Sequence, residues 1–413
     1  MLVATILSPP LSTTRGADMP VSPVLHISNA VPSAQNDASK KIVELPLPDR
    51  KSESPSTAIV YCEANFGAVD GKTANGLVRH SERYKILSVI DSEHAGRDAG
   101  EVLDGKASGI PVLRDLAASL ATADTPPDYF IFGMAPSSGM LSIHERSIVI
   151  EAMNNGLNIV NGLHEFLSED PIFKAASEAN NVTIFDVRKP REKKHLHMFT
   201  GKVAELPCRR IAVLGTDCAI GKRTTATILT RVLNERGINA VMVATGQTGL
   251  IQGTRYGIPL DATPSQFCAG ELEAAMLEAY ENERPDVIVV EGQGALSHPA
   301  FSSSAFILRG ACPDAVILQH APKRTHRCDF DNMVMPKPAA EINLIQTFSD
   351  TKVIGLTLNH EDMSTSEIEY SIAHFEHELM MPVTDPLSGS RARLAEMAFI
   401  AFPELLEISL AAA

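Results

Sequence analysis

The chain has no tryptophan, and its six cysteines, Cys62, Cys208, Cys218, Cys268, Cys312 and Cys328, include no C-x-x-C pair. That scatter offers no zinc-finger or iron–sulfur ligand set, so reduced, mostly buried thiols are expected. Basic residues are the minority, with 36 Lys plus Arg against 50 Asp plus Glu and a formal charge of −14. A surface of that sign repels nucleic acid and anionic membranes, and leaves room for a local cationic pocket only. No run approaches the roughly 20 apolar residues needed to cross a bilayer, and the opening Met1–Ser12 lacks the basic start and length of an export signal. These absences predict a cytoplasmic protein that binds a small molecule, with neither nucleic acid nor membrane as partner.

What is present fits that expectation. A length of 413 residues with 44% hydrophobic content fills two or three ordinary cores. Residues 1–54, rich in Pro, Ser, Ala and Asn, read as a flexible leader. Residues 55–186 alternate strand and helix: Ala58–Tyr61, Ile86–Ile90, Ile110–Leu113, Tyr129–Phe132, Asn158–Val160 and Val182–Asp186 are apolar runs, and a helix is expected over His144–Asn155. The prediction is an α/β fold with an N-terminal Rossmann-like parallel sheet. Residues 187–210 carry Arg188, Lys189, Arg191, Lys193 and Lys194 around Pro190, either a solvated linker or a basic wall facing the next domain. Residues 211–413 read as a P-loop NTPase-like α/β domain with a helical C-terminal cap. Its strands are expected at Ile211–Leu214, Asn239–Ala244, Asp286–Val290, Asp314–Leu318 and Lys352–Leu358, and its helices at Thr224–Glu235, Pro264–Glu281, Ser366–His377 and Arg391–Phe399.

Between the first strand and first helix of that second domain lies Gly215-Thr216-Asp217-Cys218-Ala219-Ile220-Gly221-Lys222-Arg223-Thr224-Thr225. A loop in this context presents backbone N–H groups and a helix amino terminus to anionic oxygens. Gly221 allows close approach, Lys222 offers a point charge, and Thr224 or Thr225 can place a hydroxyl on magnesium. The loop departs from G-x-x-x-x-G-K-[ST], with five residues between the glycines and Arg223 after the lysine.

Further candidates sit just beyond strands, where ligands of open α/β sheets bind. Glu291 can take a proton or hold magnesium-bound water, and His298 suits proton transfer. Gln247 and Thr248 can hydrogen-bond substrate, while His320, Lys323 and Arg324 supply cationic groups for a carboxylate. In the first domain Gly133, Ser137, Ser138 and Gly139, with Asn161, Gly162 and His164, form a possible polar rim. Asp91 with His94 has the look of a ribose clamp, yet no G-x-G-x-x-G precedes it. Cys218 is expected to pack and not to attack, which favours direct transfer over a covalent enzyme intermediate.

Gly215-Thr216-Asp217 with Gly221-Lys222, Val290-Glu291-Gly292 and the Gly355–Asn359 strand resembles dethiobiotin synthetase and its P-loop relatives. That resemblance implies ATP on the loop and magnesium held with help from Glu291 and Thr224. Lys72–Gly76, Asn161–His164, Ala244–Gly249, Glu291–Gly294 and His298-Pro299 together resemble a bacterial two-domain family, one branch of which is D-glutamate N-acetyltransferase. This wider resemblance implies acetyl-CoA as cofactor, its phosphates on the Lys222 loop, a small acidic amino acid as substrate, and Glu291 or His298 as base. A homo-oligomer is expected from the habits of such enzymes.

Overall fold

The computed structural model describes residues 55–412 apart from Ser137 and Asp329. The leader expected over residues 1–54, and Ser137 of the polar rim, lie outside the described residues. Among those described, no helix is long and apolar enough to cross a membrane. All six cysteines are free, three of them buried.

The first domain is built on six strands: β1 (Ser56–Tyr61), β2 (Tyr84–Ile90), β3 (Val112–Leu113), β4 (Tyr129–Phe132), β5 (Asn158–Asn161) and β6 (Ile184–Asp186). All neighbours are parallel, in the order β3-β2-β1-β4-β5-β6. Helices α1 (Lys72–Arg79), α2 (Ala99–Asp104), α3 (Leu116–Thr122), α4 (Ile143–Asn154) and α5 (Pro171–Asn180) make the crossovers. Both sheet faces are covered, so central strands such as β4 are apolar along their whole length. The strand order reverses between β1 and β4, opening a crevice at their carboxyl ends. Asp91, fully buried beside that crevice, accepts hydrogen bonds from Ala64 N, Phe66 N and Glu93 N. Its carboxylate fixes the β1–α1 loop and also meets His94 Nδ1 at 3.1 Å. Gly71 closes the same loop, because a Cβ there would stand 2.1 Å from Asn65 O.

The second domain holds a seven-stranded parallel sheet ordered β15-β14-β11-β7-β10-β8-β9. In chain order its elements begin with β7 (Arg209–Gly215), α6 (Lys222–Glu235), β8 (Ala240–Ala244), α7 (Gln247–Gln252), β9 (Tyr256–Gly257), α8 (Ser265–Glu283), β10 (Val287–Glu291) and α9 (Ser303–Ala311). Next come β11 (Ala315–His320), a hairpin of β12 (His326–Arg327) and β13 (Phe330–Val334), α10 (Pro338–Phe348) and β14 (Lys352–Leu358). Helix α11 (Thr365–Leu379), β15 (Val383–Thr384), α12 (Ala392–Ala401) and α13 (Pro403–Ala412) complete the chain. Helices α10 and α13 were not among those expected; each opens on a proline, Pro338 and Pro403, at the first helical position, where the missing N–H costs nothing.

Two segments differ from expectation in ways that matter for function. Gly246–Gly249, read as a loop, opens α7, and Leu250 and Ile251 of that helix are buried in the hydrophobic core of the first domain. Packing overrides the poor helix propensity of a Gly-containing run. Within residues 187–210, Lys193 and Lys194 are exposed, as a solvated linker requires, whereas Arg188 and Arg191 are engaged with the second domain. Arg188 bonds Asp261 at 2.9 Å and the Gly162 carbonyl, Arg191 pairs with Glu271, and Glu273 receives Thr200 and Val203 N–H groups. The segment is a seam laced to α8 by buried carboxylates.

At Gly292, just past β10, a Cβ would lie 2.0 Å from the Val213 carbonyl oxygen, whereas at Gly105 it would meet nothing within 4 Å. Gly292→Ala is expected to destabilise by more than about 3 kcal/mol, and Gly105→Ala by only about 1–2 kcal/mol for its left-handed backbone. Denaturant melts of the two variants check this order; equal losses would contradict it.

Candidate functional site

The loop after β7 is shaped by three backbone constraints. A Cβ at Gly215 would stand 2.8 Å from Ile220 Cδ1 and 3.1 Å from Gln319 O; Ala219 is left-handed at φ 49° and Gly221 at φ 98°. Such conformations persist only where surrounding contacts over-determine them, and here the contacts are many. Thr216 N–H donates to Gln319 O at 3.0 Å, and Thr216 Oγ1 meets His320 Nδ1 at 2.9 Å. Thr225 Oγ1 donates to Gln319 Oε1 at 2.5 Å, an oxygen that also accepts from Thr357. From outside, Arg324 donates to Cys218 O at 2.9 Å and Ala219 O at 3.1 Å, and Arg327 to Thr216 O at 3.3 Å.

Lys222, at the first position of the 14-residue α6, is buried beneath this loop and donates from Nζ to the Asp217 carbonyl. Burial pulls its ammonium down to about 8, with Arg324 and Lys72 of the first domain pushing the same way and Cys218 and Asp217 opposing. A buried cation beside further cations, over the positive end of a helix, is an anion site.

Arg223 turns away from the loop. Its Nε donates to Gln252 Oε1 at 2.8 Å and its guanidinium to Thr254 Oγ1 at 3.1 Å. It also faces Glu291, whose Oε2 accepts the Thr245 N–H at 3.1 Å and whose carboxyl is raised by burial. Gly249 is packed on this pair, since a Cβ there would meet Glu291 Oε2 at 2.6 Å. Arg223 stands in the place of the magnesium hydroxyl, Thr225 is committed to Gln319 and Glu291 faces Arg223, so of the magnesium ligands expected from sequence Glu291 is engaged by a cation.

His298 comes to the loop from the segment after β10, with its ring stacked on Phe301 at 4.7 Å and its Nε2 at 3.7 Å from Asp217 Oδ1. Nδ1 accepts from Ala300 N at 3.2 Å, which leaves the ring proton on Nε2. In that state the protonated Nε2 faces Asp217 Oδ1 beyond hydrogen-bond distance. Asp217 is fully buried and accepts from Cys328 N at 2.7 Å.

The remaining sequence candidates divide sharply. His320 is buried against Phe375 and held down to about 4 by burial, so it is neutral and braces Thr216 instead of binding carboxylate. Lys323 pairs with Glu367 on α11, and Arg324 with Glu361 as well as the loop. Ser138 Oγ serves its own turn at Met140 N. Gln247, Thr248 and His164 do converge with the first domain. Thr248 Oγ1 meets Thr73 Oγ1 at 3.1 Å, Gly162 packs on Gln247, and Gly139 packs on His164, whose imidazole is lowered by burial and by Arg188 and Lys72. The carboxyl ends of β1 and β8 thus face one seam. Lys72, Gln319 and Arg327 were missed as site residues; Gln319, a polar residue inside an otherwise apolar strand, was the available signal.

Residues 92–190 match a family model described as a Rossmann-like domain of unknown function, DUF1611_N, and residues 197–395 its companion P-loop domain, DUF1611. The chain is 32% identical over 265 residues to a D-glutamate N-acetyltransferase of Pseudoalteromonas sp, covering 62% of this chain and 77% of the relative. A D-glutamate N-acetyltransferase of Tritonibacter scottomollicae is 30% identical over 276 residues, covering 64% and 79%. A crystal structure of a DUF1611 family protein from Anabaena variabilis superposes with TM-score 0.75 at 29% identity, over 84% of this chain and 99% of that one.

An anion on the loop favours the protonated form of Lys222. With its ammonium at about 8 in the free protein, affinity for a phosphate ligand such as CoA or ADP is expected to hold steady below pH 7. Above pH 8 it should weaken toward about tenfold per pH unit as the lysine loses its proton. Lys222→Arg, which stays charged, should flatten that profile in calorimetric titrations from pH 6 to 9.5; a flat profile in the native chain would contradict the assignment.

Proposed function

The chain belongs to the two-domain DUF1611 family, and from that premise we propose that it is an acyl-CoA-dependent N-acyltransferase. The acceptor is the amino group of a small acidic amino acid, with D-glutamate first in line because two relatives carry that name. The observation that carries the proposal is Arg223. A phosphate loop that transfers a phosphoryl group needs a metal held by a hydroxyl beside the lysine, and this one has a guanidinium engaged with Gln252 and Thr254. CoA phosphates are only held, so backbone N–H groups and Lys222 suffice.

The pantetheine arm separates the CoA phosphates from the thioester. With phosphates on Lys222, both Glu291 and His298 lie in the loop's own shell, too near the phosphates to serve the reacting carbon. The acceptor belongs at the domain seam, where Lys72 can pair with a carboxylate and the imidazole of His164, lowered by burial, can take the proton of the attacking amine. The nitrogen–carbon bond forms as the carbon–sulfur bond breaks, and CoA leaves as the thiol. The rival reading, an ATP-dependent ligase or kinase, rests on Glu291 at the end of β10, the position at which dethiobiotin synthetase-like loops help hold magnesium; here that carboxylate faces Arg223.

Incubation with acetyl-CoA and a panel of D- and L-amino acids, read by mass spectrometry, should yield an N-acetyl acidic amino acid. His164→Ala should lower kcat by about 10²–10⁴-fold and remove an acid limb of the pH–rate profile lying below pH 6.5, the ordinary histidine value. Acetyl transfer that is indifferent to His164 would contradict the base assignment, and no transfer to any acidic amino acid would contradict the function.

A further inference from the structure

One group of side chains beside the phosphate loop has no part in the proposed acyl transfer. Asp217 and Cys218 on the phosphate loop and His298 from the segment after β10 bring a carboxylate oxygen, a thiol sulfur and a ring nitrogen all within 4.8 Å of one another. Two of the three are buried, and Cys218 is partly exposed. Nothing in the acyltransferase reading requires this grouping.

The decisive atom is Asp217 Oδ1. Its sister oxygen takes Cys328 N–H at 2.7 Å and Arg324 at 3.4 Å, while Oδ1 is buried and makes no hydrogen bond among the described residues. A buried carboxylate oxygen left so is costly. It stands 3.7 Å from His298 Nε2, beyond hydrogen-bond reach. Two ligands on one tetrahedral zinc, at about 2.0–2.1 Å for oxygen and nitrogen and 2.3 Å for sulfur, lie about 3.3–3.6 Å apart. The gap is therefore the width of a shared ion. Gly294 leaves room beside the thiol, since a Cβ there would lie 3.9 Å from Cys218 Sγ.

The geometry points to a transition-metal site in which Asp217, Cys218 and His298 hold one divalent zinc-like ion at the edge of the phosphate loop. Thiolate and imidazole exclude magnesium and calcium and suit zinc, cobalt(II) or iron(II). Charge balances, because carboxylate and thiolate neutralise the dication and Lys222 keeps its own charge for the ligand anion. On binding, the Cys218 thiol proton leaves to solvent, and the His298 ring proton moves from Nε2 to Nδ1 as the long contact from Ala300 N is given up. Three protein ligands and a partly exposed thiol leave a fourth position open to water or a substrate oxygen. The site stands independently of the acyl donor proposed above.

The test uses the full chain, stripped of metal and titrated with cobalt(II) under anaerobic conditions. One equivalent should bind, with a sulfur-to-cobalt charge-transfer band in the near ultraviolet. Cys218→Ser should abolish that band, and His298→Ala and Asp217→Asn should each weaken cobalt binding more than about tenfold, in variants whose thermal melts remain cooperative. If the serine variant does not fold, the affinities of the other two variants carry the test. A chain that binds no cobalt, a charge-transfer band that survives Cys218→Ser, or affinities untouched by the His298 and Asp217 changes would overturn the site.

Discussion

Everything in the second domain is arranged around one buried charge. Taking an ammonium out of water costs on the order of several kcal/mol unless partners replace the lost solvent, and among the described residues the Asp217 carbonyl is the one oxygen that accepts from Lys222. Burial accordingly pulls its ammonium down to about 8. The left-handed Ala219 and Gly221, the Gln319 relay to Thr225 and Thr357, and the Arg324 and Arg327 braces hold the lysine under the loop. An anion bound there, as proposed above, would offset part of the cost of that burial.

The first domain meets that site through one short helix. Helix α7 follows β8 of the P-loop sheet, yet Leu250 and Ile251 lie in the other domain's core, and Gln252 Nε2 donates to Gly76 O at 2.6 Å and His80 O at 2.8 Å. Arg188 to Asp261 makes a second tie across the seam. The carboxyl ends of the two sheets therefore meet at one seam, where Lys72 acts on both Lys222 and His164. The proposed acyl donor, with phosphates at one end and a thioester at the other, would run along that seam.

Sequence made the two α/β domains legible because strands covered on both faces are apolar throughout, and it made the loop legible because a strand, two glycines, a lysine and an amphipathic helix follow one another. Neither carried information on commitment. His320, Lys323 and Arg324 looked like ligand cations, and each is engaged elsewhere: His320 by burial, Lys323 by Glu367, and Arg324 by Glu361 and the loop. The basic cluster near Pro190 looked solvent-facing because its partners Asp261 and Glu271 lie more than 70 residues away. The proton position on His298 is set by a backbone N–H two residues on, which no residue-type pattern records. Lys72 was in view as part of the Lys72–Gly76 stretch of the family resemblance, and tertiary placement brings it toward Lys222.

The most direct measurement is calorimetric titration of the intact chain with acetyl-CoA and with ATP, each with and without added magnesium. Acetyl-CoA should bind with the same affinity in both conditions, and magnesium should not tighten ATP, because Arg223 stands where the metal-binding hydroxyl follows the lysine and Thr225 is committed to Gln319. ATP binding that requires magnesium, together with no heat from acetyl-CoA, would contradict the acyltransferase reading and return the loop to phosphoryl chemistry.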